Sequence, residues 1–139
     1  MKLDLITYGC GTEFDPVKFK PIKNRDFIKP DGGLWASPIN SPYGWKEWCM
    51  EQEQGNLSSS FTFAFDGKVL VIDSLEDAMR MPWLTLFDCI QYPNFEQIAQ
   101  HYDAIWLTTK GQVETRFSEP NMYGWDCETV LILNPDCIE

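Results

Sequence analysis

The sequence predicts an α+β domain. Short strand-like runs and capped helical segments alternate along it without settling into regular βαβ units. A last buried-strand run, Val130 to Leu133, is stopped by Asn134-Pro135. The size fits as well: 139 residues make one domain over residues 1–139, and 44% hydrophobic with 14% aromatic residues supply a core and argue against disorder.

Leu3 to Tyr8 is the first strand, broken by Gly9-Cys10-Gly11-Thr12. Residues 13–33 show no sustained period and carry Pro16, Pro21, Pro30 and Gly32-Gly33, so a long irregular segment is expected. Its apolar Phe14, Val17, Phe19, Ile22, Phe27 and Ile28 suggest a packed loop. Leu34-Trp35-Ala36-Ser37 is a short strand ended by Pro38. Ser41 then caps a helix with Pro42 at its first position, and Trp45, Trp48 and Cys49 share one face. Gly55-Asn56 ends that helix.

Phe61 to Phe65 alternates with a period of two, Asp66-Gly67 signals a hairpin turn, and Lys68 to Ile72 returns. Ser74-Leu-Glu-Asp77 is a capping box opening a short helix before Pro82. Residues 83–93 are ambiguous between helix and strand. Asn94 with Gln97 caps a helix that buries Phe95, Ile98, Ala99 and Tyr102. Ala104 to Thr108 is a strand, Gly111 to Arg116 is a candidate strand, and Asn121 to Asp126 is an aromatic loop leading into the last strand.

Net charge is −10, from 21 acidic against 11 basic residues, which argues against a general phosphate-backbone binder. It is compatible with simple solubility or with a basic partner surface. No apolar run approaches a membrane span, and Met1-Lys2-Leu3-Asp4 lacks a signal-peptide core, so a soluble cytoplasmic protein is expected. Five cysteines without a Cys-x-x-Cys pair point to reduced, structural thiols. One histidine, His101, and scattered cysteines make no zinc site.

The candidate chemistry lies at the entrance to the last strand. Strand alternation puts Asp126 and Glu128 on one face, beside Tyr123 and Trp125, with Cys127 turned into the core. Paired carboxylates suit glycosidic chemistry, in which positive charge develops on the sugar; an acidic strand entrance facing solvent is the plainer alternative. Tyr8 is placed to stack on a ligand or to sit in the core. Ser37 is placed to orient a sugar hydroxyl or to cap the turn at Pro38.

The order of these motifs resembles the ADP-ribosyltransferase fold, especially its small bacterial and phage members. The motifs are Thr7-Tyr8-Gly9-Cys10-Gly11-Thr12, Leu34-Trp35-Ala36-Ser37-Pro38, Tyr102-Asp103-Ala104-Ile105 and the segment from Glu128 through Ile138. The resemblance implies two small mixed or antiparallel sheets forming a cleft, with helices on the outer faces. It implies NAD as substrate and mono-ADP-ribosyl transfer to a protein, nucleic-acid or small-molecule acceptor. Glu128 would be the catalytic carboxylate, Asp126 the target-choosing residue, and Tyr8, Gly9, Trp35, Ser37, Tyr123 and Trp125 the surroundings of the NAD.

One departure stands out: the basic residue that the family's first motif supplies to hold NAD is absent from Tyr8 to Thr12. Arg25 or Lys23 are the candidate substitutes. A non-catalytic protein binding a nucleotide or NAD-derived signal on the same fold, and an acidic inhibitor covering a basic partner, are the alternatives.

Overall fold

A computed structural model describes residues 1–25 and 28–139. In chain order it contains β1 (Lys2–Tyr8), β2 (Lys23–Arg25), β3 (Ile28–Asp31), β4 (Leu34–Pro38), α1 (Trp45–Gln52), β5 (Ser60–Asp66) and β6 (Val69–Ile72). There follow α2 (Leu75–Met79), β7 (Trp83–Leu86), β8 (Ile90–Pro93), α3 (Phe95–Ala99), β9 (Ala104–Leu107), α4 (Thr109–Thr115) and β10 (Thr129–Ile132). The α+β class holds. The pair of small sheets expected to form a cleft is replaced by one six-stranded sheet in the order β5-β1-β4-β10-β9-β6, with two separate hairpins, β2-β3 and β7-β8.

The sheet is antiparallel except for the parallel pair β6 and β9. Following these senses across the sheet, β5 and β6 run in the same direction although they are consecutive and lie at opposite edges. In a flat sheet, five steps of about 4.8 Å would hold them about 24 Å apart. Asp66 to Val69 is only three Cα steps, a reach of about 11 Å. The sheet must therefore curl, and residues 60–72 act as one bent strand that pairs first with β1 and then with β9. This corrects the expected hairpin at Asp66-Gly67. The alternation of Phe61, Phe63 and Phe65 was real, but those rings bury against β1 rather than organising a local hairpin.

A second change of partner occurs along β4. Ser37 and Pro38 pair with Ile6 and Leu5 of β1, whereas Leu34, Trp35 and Ala36 pair with Ile132, Leu131 and Val130 of β10. Alternation divides the core accordingly. Leu5, Ala36, Phe63, Phe65, Val130 and Ile132 pack on one face. Leu131, Ile105, Leu107 and Ile72 pack on the other, against Ala78 of α2 and Phe95 and Ile98 of α3.

The ends of β6, β9 and β10 are tied by Asp103. Its carboxylate accepts the Lys68 N–H at 2.7 Å and the Asn134 side-chain amide at 2.9 Å. Its backbone N–H donates to Lys68 O, and its carbonyl accepts from the N–H groups of Leu133 and Asn134.

Three further expectations are corrected. The candidate strand Gly111 to Arg116 is instead helical through Thr115: the Thr108 hydroxyl accepts the Gly111 N–H and starts α4. Gly111 is required there because a Cβ would lie 2.0 Å from the Ile72 carbonyl oxygen. Helix α1 starts at Trp45 rather than after Ser41, whose hydroxyl instead accepts the Tyr43 N–H in a local turn. Within residues 13–33 the structure has the β2-β3 hairpin; Phe14 and Phe19 contact each other edge-on and Ile22 packs on the core, but Val17 is exposed. Phe27 and the Ile28 side chain lie outside the described residues. Helices α2 and α3 start where the sequence places them, with Ser74 accepting the Asp77 N–H and Asn94 the Gln97 N–H. Among the described residues no helix is long and apolar enough to cross a membrane.

Candidate functional site

The change of partner along β4 leaves a gap. The β1–β4 ladder stops at Ile6–Ser37, so the Trp35 carbonyl has no strand partner on the β1 side. The Thr7 hydroxyl donates to it instead, at 2.7 Å. Beyond that bond a cavity of about 330 Å³ opens, a size that suits a small organic ligand. Residues Ile6 to Tyr8 and Cys10 form one wall and Leu34 to Ser37 the floor. Asp126, Cys127 and Thr129 line the opposite side, with Trp45 and Lys29 completing the enclosure.

The cavity combines ring surfaces (Tyr8, Trp35, Trp45) with the hydroxyls of Thr7, Ser37 and Thr129. Trp35 is backed by Trp125, 5.0 Å away edge-to-face, and Trp125 stacks on Phe95. The floor ring is thus held by a chain of aromatic contacts into the core. Trp45 is backed in the same way by Trp48, stacked at 5.0 Å. The charged groups of the lining are Lys29 and Asp126. The Lys29 Nζ lies 5.4 Å from the centre of the Trp35 ring. Asp126 is paired with Arg116 at 3.2 Å. Burial, and then the charge of Glu47, raise the Tyr8 hydroxyl above its ordinary range. Burial pushes the Cys127 thiol up to about 11, partly opposed by the Thr129 hydroxyl and the Lys29 charge.

Ser37 joins the cavity to the last strand. Its buried hydroxyl donates to the Glu128 carbonyl at 2.9 Å and accepts the Trp45 N–H at 3.0 Å, capping α1 from outside the helix. The Glu128 N–H donates to the Tyr43 carbonyl. Both backbone groups of Glu128 are therefore fixed just ahead of β10. Its side chain, 6% exposed, accepts from the Trp106 indole N–H at 2.9 Å and the Thr109 hydroxyl at 3.2 Å. Trp106 packs against the Val130 and Ile132 face, and Glu128 is not part of the cavity lining.

Of the residues singled out from sequence, Tyr8, Trp35, Ser37 and Asp126 come together around the cavity. Glu128 touches that wall through its backbone only. The expected shared outlook of Asp126 and Glu128 is corrected: one carboxylate binds Arg116, the other Trp106 and Thr109. The reason is that β10 begins at Thr129, so strand alternation does not extend back to Asp126. Trp125 is buried behind the floor, and Tyr123 is exposed with Arg116 over its ring. Gly9, at φ +76°, donates to the Ser59 carbonyl and lies outside the lining.

Arg25 pairs with Asp31 and Lys23 is exposed; the cation on the cavity wall is Lys29. Nothing in the local sequence sets Lys29 apart, because its position depends on the register of β3. Trp106 and Thr109 were also missed. Alternation through Ala104 to Thr108 separates Trp106 from Ile105 and Leu107, and would have flagged it. Comparison of the chain with protein-family models, curated proteins and solved structures gave no match.

Proposed function

We propose that the cavity beside β4 binds a small ring-bearing nucleotide or NAD-derived ligand without turning it over. The observation that carries this reading is the division of labour around Ser37. The rings and hydroxyls converge on the cavity, while the Glu128 carboxylate is committed to Trp106 and Thr109 outside its lining. Flat rings seated between Tyr8, Trp35 and Trp45 would gain stacking and apolar burial; the Thr7 and Thr129 hydroxyls already donate to main-chain carbonyls and can act toward a ligand as acceptors. Titration of the chain with NAD, ADP-ribose and nicotinamide mononucleotide, read by calorimetry and tryptophan fluorescence, is the test. Saturable binding of at least one, weakened in Tyr8→Ala, with no release of nicotinamide from NAD, is expected. Absence of binding by all three overturns the reading.

A second reading, mono-ADP-ribosyl transfer with NAD as donor and a protein or nucleic acid as acceptor, is favoured by one observation. Glu128 is a buried carboxylate fixed by two neutral donors, with no cation in ion-pair distance among the described residues. Such a preorganised charge suits a developing cation. Nicotinamide release that falls by roughly 10²–10³ in a folded Glu128→Gln chain would support transfer over simple binding. Equal release in the two chains, or none in either, would reject the catalytic role of Glu128.

A further inference from the structure

Lys29 sits on β3, which reaches the cavity from the β2-β3 hairpin rather than from the six-stranded sheet. It is the only basic residue on the cavity wall among the described residues. Its amine leans over the floor, 5.4 Å from the Trp35 ring centre, and its charge is felt by the buried Cys127 thiol across the cavity. Both arginines nearest this region have carboxylate partners, Arg25 with Asp31 and Arg116 with Asp126. Among the described residues Lys29 has no carboxylate within ion-pair distance; the Trp35 ring is its contact.

These positions bear on the ligand's charge. A chain with net charge −10 repels anions at long range, so an anionic ligand needs a local cation to offset that field. The opposite wall offers none, because the Asp126 charge there is already matched by Arg116. An ammonium on a flexible stem over an indole can leave the ring and donate to a phosphate without demanding a fixed geometry, whereas a guanidinium would impose one. In a mononucleotide a ribose separates the ring from the phosphate, so a ring that takes the Trp35 face in place of the ammonium leaves its phosphate within reach of the displaced amine.

We infer that Lys29 is the anion-binding residue of the cavity and that the ligand is a phosphorylated, ring-bearing nucleotide with its phosphate at Lys29 and its ring on Trp35. This rests on the binding reading given above and names the ligand's charge class within it. It also assigns the role of the missing basic residue to a segment outside the motifs that carry the family resemblance.

The test compares two probes that differ by one phosphate, nicotinamide mononucleotide and nicotinamide riboside. Each is titrated calorimetrically into the wild-type chain and into Lys29→Gln, Lys29→Arg and, as a surface control, Lys23→Gln. Lys29 is exposed, so its replacement leaves the core untouched. The mononucleotide is expected to bind wild type more tightly than the riboside. Lys29→Gln should weaken the mononucleotide roughly tenfold while moving the riboside less than about twofold. Lys29→Arg, which keeps the charge but imposes its own geometry, should recover part of the loss, and Lys23→Gln should change neither. Equal affinity for the two probes in wild type, or an equal loss of both in Lys29→Gln, overturns the assignment of Lys29 and leaves the cavity as a binding site. Failure of wild type to bind either probe overturns both the assignment and the binding reading for nicotinamide nucleotides.

Discussion

Two places in the sheet face the same problem, a strand end with unpaired main-chain groups, and solve it differently. At the seam between β1, β4 and β10, single hydroxyls replace ladder bonds: Thr7 bonds the Trp35 carbonyl and Ser37 bonds the Glu128 carbonyl. At the clasp joining β6, β9 and β10, one residue, Asp103, gathers five hydrogen bonds, two of them to its carboxylate. The hydroxyls satisfy the backbone while holding the strands apart, and the cavity opens there. The carboxylate ties three strand ends together. The hydroxyl bonds of the seam are neutral, whereas the clasp depends on a charge. Ligand binding and acid stability should therefore be separable by mutation.

The largest effect is expected from Ser37→Ala. It strands a buried carbonyl on Glu128 and removes the acceptor that caps α1 at Trp45. An unmet buried group costs about 1–3 kcal/mol and a lost cap about 1 kcal/mol, so a loss of about 2–4 kcal/mol is expected in urea unfolding. Ligand affinity should fall with it, since Ser37 is part of the cavity floor. A stability loss below about 0.5 kcal/mol would show that the seam does not rest on this hydroxyl.

Ser37 also shows how much of the molecule was legible beforehand. Local signals were reliable where the cause is local: the caps at Ser74 and Asn94, the alternating phenylalanines of β5 and the apolar run of β10 all form as read. The readings that failed needed partners far away in sequence. Asp66-Gly67 has the composition of a hairpin turn, yet the next strand pairs with β9, 35 residues away from Lys68 to Asp103 at their point of contact. Val113 and Thr115 suit a strand by alternation, but the Thr108 cap and the close passage of Gly111 over Ile72 make residues 111–115 helical. Ser37 was placed as a turn cap or a sugar contact; its bond to a carbonyl 91 residues later depends on the register of β4 against β10. Likewise the strand alternation that was to align Asp126 with Glu128 does not extend back from Thr129.

The second effect is expected in acid. Hydrogen bonds from Lys68 N–H and then Asn134 hold the Asp103 carboxyl below its usual range in the folded protein. A lowered folded value means that this contribution is fully present above the unfolded value, about 3.9, and is lost as pH falls through the folded value. Asp103→Asn keeps the shape but loses the charge and one acceptor, so it should cost about 1–2 kcal/mol near neutrality. It should also flatten the decline of Tm below about pH 4. Parallel Tm-against-pH curves for the two proteins would mean that the clasp does not work through its charge. Nicotinamide mononucleotide affinity at pH 7 should be unchanged in the Asp103→Asn chain, and an equal loss there would break the separation of clasp from seam.

The smallest effect, and the most direct comparison of the two regions, uses the thiol each one contains. Cys127 lies at the seam, buried, its thiol pushed up to about 11 by burial, which leaves a thiolate fraction on the order of 10⁻⁴ at pH 7. Cys137 lies half-buried at the clasp, its thiol raised by burial first and then by the Asp103 charge. In a native chain, exposed Cys10 and Cys89 should be alkylated first, Cys137 next, and the buried Cys49 and Cys127 last, with peptide mass spectrometry following each site. Asp103→Asn removes the charge beside Cys137 and should speed that site severalfold while Cys127 stays slow. Ser37→Ala loosens the wall that contains Cys127 and should speed that site while Cys137 stays slow. If both thiols quicken together in either variant, labelling is reporting global opening, and the seam and the clasp are one cooperative unit rather than two.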